Sequence, residues 1–138
     1  MFTSLQQTRS AAYHAVDIES AVHLTDPHRL IGMLFDGAIA AVLKAGFALQ
    51  QGDIPAKGES TSRAIRIIDE GLKASLDLDV GDISLNLASL YDYMTHTLLQ
   101  ANLHDDQARY DEVLTLLKDL RDAWQAIRPQ VVNQQHNG

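Results

Sequence analysis

Apolar residues recur at intervals of three and four along most of the chain, the period of helices that bury one stripe, and no stretch alternates as a strand would. The strongest stripe is Leu30, Leu34, Ala38, Val42, Ala45 and Leu49. A second runs through Ile65, Ile68, Leu72 and Leu76, and a third through Leu87, Leu90, Tyr91, Met94, Leu98 and Ala101. Val113, Leu117, Leu120, Trp124 and Ile127 make the fourth. Asp26 before Pro27 is a helix start, because the carboxylate accepts from first-turn amides and proline suits the first helical position. Gly52 supplies a left-handed stop and Asp53 the next cap, and Gly81 with Asp82 repeats that pair. His104, Asp105 and Asp106 form a polar break, and Pro129 ends the last helix.

Four helices of about 20 residues joined by short loops predict an all-α fold, an antiparallel four-helix up-down bundle, since short connections make consecutive helices neighbours of opposite direction. Ahead of it, Phe2, Leu5, Ala12, Tyr13 and Val16 form a weaker stripe broken by polar residues, which predicts an additional short N-terminal helix or cap. The expected organisation is a single helical-bundle domain over residues 1–130, with 1–24 a mobile cap and linker, and a disordered tail over 131–138.

Length leaves room for one domain, and the absence of cysteine removes disulfides, thiolate metal sites and thiol nucleophiles together. The opening residues lack the basic and continuously apolar parts of a secretory signal, and no run is expected to span a membrane. A soluble, cytosolic protein is expected. Net charge is −7, with 18 acidic against 11 basic residues, so the summed field repels nucleic acid and anionic lipid. Arg63 and Arg66 do not change this, because Asp69 and Glu70 cancel them locally.

Chemistry is sparse. A di-iron bundle needs glutamates paired with histidine three residues on, and none of Glu19, Glu59, Glu70 or Glu112 has one. The six histidines are scattered, mostly near helix ends, where solvated side chains are expected. No nucleophile elbow, phosphate loop or calcium loop is present, so neither enzyme activity nor a cofactor is expected. Asp36 interrupts an apolar helix and is expected to face solvent. Asn86 and Asn102 are expected to satisfy loop or helix-end backbone groups. Tyr91 and Tyr93 lie on different faces, so at most one ring belongs in the core.

The block T-D-P-H-R-L-I-G-M-L-F-D-G-A, from Thr25 to Ala38, resembles the signature of the flagellin export chaperone family, commonly called FliS. I-I-D-E-G-L-K-A-S-L-D from Ile67, I-S-L-N-L-A-S-L-Y-D-Y-M from Ile83, L-L-Q-A-N from Leu98 and D-A-W from Asp122 extend the likeness in order along nearly the whole chain. Asp26 stands where many members have serine, and a lone Gly81 where many have two glycines. Neither change alters the expected fold.

The resemblance implies a four-helix core with a mobile N-terminal cap, binding the disordered C-terminal segment of flagellin in the cytosol until secretion. It also implies contact with the cytoplasmic domain of the flagellar export gate and, in some members, with the anti-sigma regulator of late flagellar genes. Leu5, Tyr13 and Val16 are the candidate cap residues, with Leu34, Phe35 and Tyr91 the candidate groove positions beside an interior-core alternative. A structural homodimer and, behind it, a metal-binding bundle are the competing functions.

Overall fold

In the computed structural model, which describes residues 26–127, Asp26 opens the first helix as its sequence predicts: its side chain accepts from the amides of His28 and Arg29 at 3.1 and 3.3 Å. Helix α1 runs Pro27–Gln51 and stops at Gly52, whose φ of 70° lies in the left-handed region that glycine enters without steric cost. Asp53 caps α2, Ile54–Arg66, through the Ala56 amide. Helix α3, Asp82–His104, and helix α4, Gln107–Ala126, complete the bundle. The expected N-terminal cap, the stop at Pro129 and the tail over 131–138 lie outside the described residues.

Cross-links fix the directions. Lys57 near the start of α2 reaches Asn102 and Asp105 at the end of α3, and His28 at the start of α1 meets Trp124 near the end of α4. Helix α1 packs on α2 and α4, as does α3, so α1 and α3 face each other across the diagonal of an antiparallel four-helix bundle.

Three local expectations need correction. The second helical run is not one α-helix, because a π-helical turn, Ile67–Leu72, and a 3₁₀ turn, Lys73–Ser75, follow Arg66. Gly81 does not close it either. A connector carrying a further short 3₁₀ turn, Leu78–Val80, intervenes, and Gly81 sits at the entry to α3 while Asp82 makes no side-chain cap. Finally, α1 is long and apolar enough by length and composition to cross a membrane, which the sequence was not expected to show. Its packing against α2 and α4 accounts for that character as a core helix.

The core joins Leu34, Phe35, Ile67, Met94, Leu98 and Leu117 with their neighbours. A buried leucine truncated to alanine in such an interior costs about 2–5 kcal/mol. Phe35 and Ile39 belong to this core although they fall outside the stripe read from the sequence. With helices on two sides, α1 buries an arc wider than one stripe.

Candidate binding surface

Side chains that lie off the buried stripes decide what the outside of the bundle offers. On α1, Leu43 and Phe47 stand one turn apart on the outer face, and Ile54 at the start of α2 is exposed as well. Phe47 is 64% exposed. On α3, Leu99 and Leu103 form the same pair, with Leu85 about four turns earlier on that face. Leu103 is 71% exposed. Leu78, Val80 and Ile83 project at the corner between the second and third helical runs. Since α1 and α3 are diagonal, the two stripes lie on opposite sides of the molecule.

Single exposed apolar residues are ordinary; the aligned leucine and phenylalanine pairs on two helices make these faces the candidate binding surface. Fully burying each such side chain contributes roughly 1.5–3 kcal/mol. Polar groups share the outer surface of α3 with these leucines, Asp92 falling on the helical line between Leu85 and Leu99. Tyr93 donates to Glu112 Oε2 at 2.5 Å, and that bond raises the phenol's pKa. Lys73 pairs with Asp92 at 2.7 Å, and the same hydrogen bond raises the lysine. Asp36 faces solvent as expected and lies 3.6 Å from Arg121.

The sequence-derived positions fall elsewhere. Leu34, Phe35 and Tyr91 share one core cluster and are 6, 3 and 4% exposed. Tyr91 is the buried ring and Tyr93 the outward one, as their different faces require. Burial pushes the Tyr91 phenol up to about 12. Leu5, Tyr13 and Val16 lie outside the described residues. The outer pairs Leu43–Phe47 and Leu99–Leu103 were missed, although their signal was present: large apolar residues at i and i+4, out of phase with the core stripe of the same helix.

The family's sequence profile, described as "Flagellar protein FliS", matches residues 9–131. The chain belongs to the FliS family. A flagellar secretion chaperone FliS of Salmonella typhimurium strain LT2 is 53% identical over 119 residues, which cover 86% of this chain and 88% of that protein. Proteins of the same name from Escherichia coli K12 and Bacillus subtilis 168 are 42% and 33% identical, covering 82% and 80% of this chain and 84% and 82% of their own. In this FliS-family chain, D-A-W contributes a structural contact as well as a likeness, because its Trp124 stacks on His28 with centroids 4.4 Å apart.

Polar side chains also cross-link the helices at the end of the bundle opposite His28 and Trp124. Lys57 is buried and donates to the Asn102 carbonyl at 2.9 Å and to the Asp105 carboxylate. Thr61 Oγ1 donates to the Lys57 carbonyl at 2.7 Å, so its single hydrogen is committed and Tyr110 must donate to Thr61, also at 2.7 Å. These bonds tie α2 to the end of α3 and to α4.

Proposed function

We propose that this protein is a non-catalytic cytosolic carrier that binds the disordered C-terminal segment of flagellin, prevents its premature polymerisation and delivers it to the flagellar type III export apparatus. The observation that carries the proposal is the pair of aligned apolar stripes, Leu43–Phe47 and Leu99–Leu103, on diagonally opposed helices. One compact ligand cannot cover both. A flexible chain can wrap the bundle and lay short amphipathic pieces on each side, at the cost of ordering itself, which keeps affinity low enough for release by competition.

In this proposal the stretch ahead of α1, with Leu5, Tyr13 and Val16, competes with the client for apolar surface. Leu34, Phe35 and Tyr91 form the floor that supports that surface. The export gate's cytoplasmic domain receives the loaded complex, and the anti-sigma regulator is a second partner. No metal or organic cofactor takes part.

Calorimetric titration with the C-terminal segment of the same organism's flagellin tests the proposal, on the full chain and on one beginning after Val16. One-to-one binding, tighter in the shortened chain, supports both carriage and competition. Equal binding by the two keeps carriage and discards competition. No binding by either folded protein, with a dimer mass by light scattering, replaces the carrier with a self-associating bundle.

A further inference from the structure

The run D-L-D-V-G-D-I, from Asp77 to Ile83, sets acidic and apolar side chains side by side around the corner between the second helical run and α3. Val80 and Ile83 are 71 and 78% exposed, and Leu78 is exposed beside them. Asp77 Oδ1 accepts from the Asp79 amide at 3.0 Å, whereas Asp79 and Asp82 have no ion pair among the described residues. No lysine or arginine occurs between Lys73 and Arg109, so nothing close in the chain neutralises these carboxylates. The corner fits a segment that brings apolar side chains together with a cation. Phe47 and Leu103 lie toward the other end of the bundle, so this surface is separate from the pairs they belong to.

The end of α4 lies beside this corner. Tyr93 on α3 reaches Glu112 on α4, which fixes the offset of the two antiparallel helices. From that contact, at 1.5 Å per residue, α3 extends back about 16 Å to Asp82 and α4 extends on about 22 Å to Ile127, toward the same end. The two ends are therefore level to within about one helical turn. Neighbouring helix axes stand roughly 8–10 Å apart, and four extended residues span roughly 13 Å. Beyond Ile127 the sequence reads R-P-Q-V-V, so the first cation after α4 is followed, at about that span, by two valines.

We propose that segment 128–132 of the same chain docks on this corner, its two valines covering Leu78, Val80 and Ile83 while Arg128 faces Asp79 and Asp82. Pro129 disfavours helical backbone at Arg128, so the chain departs there from the line of α4. Adjacent side chains of an extended segment point to opposite sides, which gives one valine to Leu78 and Val80 and the other to Ile83. Exposed ion pairs contribute little, so they select the site and the covered valines hold it. Val131 and Val132 thus gain a seat where disorder was expected throughout 131–138. The corner is closed to other partners until the segment leaves, whether or not the protein carries flagellin.

The chain has no cysteine, so Asn133→Cys supplies a single thiol for a nitroxide spin label. The test reads the amide NMR signals of the full chain labelled there, with the nitroxide active and then reduced. Val80 and Ile83 are expected to lose more than half their intensity, while Arg29 and Gly32, at the start of α1 on the other side of α4, lose far less. Adding Val131→Asp and Val132→Asp to the labelled chain should restore Val80 and Ile83, with unchanged signals at Met94 and Leu98 confirming the fold. Equal losses at the starts of α1 and α3, no loss at the corner, or losses that survive the two aspartates overturn the docking. So does the same loss in isotope-enriched, unlabelled chain mixed with labelled chain, which puts a second copy on the corner instead.

Discussion

His28 and Trp124 hold each other by two hydrogen bonds in opposite senses across the ends of α1 and α4. The Trp124 carbonyl can only accept, so His28 Nε2 carries the proton it receives at 2.7 Å, and Trp124 Nε1 donates to the His28 carbonyl at 2.8 Å. The first bond satisfies a last-turn carbonyl that has no partner within its own helix. The rings stack within 9° of parallel.

Removing either partner should therefore cost more than one exposed contact. His28→Ala and Trp124→Phe are each expected to lower unfolding free energy by about 2 kcal/mol, from one side-chain hydrogen bond and part of the stack. Urea unfolding of both single variants and of the double variant checks this. The double variant should lose somewhat less than the sum, because the ring stack is counted in both single changes while the two hydrogen bonds, each to a backbone carbonyl, add.

At the opposite end, Lys57 and Asp105 should respond unequally. Lys57→Ala strips a buried ammonium from the Asn102 carbonyl, with an expected loss of about 2–3 kcal/mol. Asp105 has a φ of 52°, which glycine adopts more easily, so Asp105→Gly exchanges a lost ion pair for relieved backbone strain. Its net effect is expected within about 1 kcal/mol of zero. Thermal or urea unfolding of the two variants separates them.

Tyr91 sets a limit at high pH. Its phenol has the ordinary value of 10 when unfolded and about 12 when buried, so the folded protein holds the proton more tightly. The stability this contributes is complete below pH 10 and is lost as pH rises toward 12, at up to about 1.4 kcal/mol per pH unit. Unfolding midpoints measured from pH 9 upward should fall across that window. Tyr91→Phe should flatten this component of the fall.

How far the sequence revealed all this depended on whether a feature is local. The helix starts at Asp26 and Asp53 and the stop at Gly52 were legible because capping is settled by a few adjacent residues. The π turn was not, since Ile65, Ile68, Leu72 and Leu76 keep helical spacing and the winding answers to packing on α1 and α3. His28 was read as one of several histidines near helix ends; its partner lies 96 residues away, beyond any local pattern. Spacing alone left Leu34 and Phe35 open between groove and interior; their burial follows from the two neighbours of α1, a tertiary fact that widens its buried arc.

Carriage of a client on the outer stripes is tested most directly by calorimetric titration of the flagellin C-terminal segment into a Phe47→Asp, Leu103→Asp variant, beside wild type and Phe35→Ala. Both aspartates replace exposed side chains, so the unfolding midpoint should barely move while affinity falls at least tenfold. Phe35→Ala, in contrast, should lose about 3–5 kcal/mol of stability. A double variant that binds the segment as tightly as wild type would contradict the assignment of the client to these two helix faces.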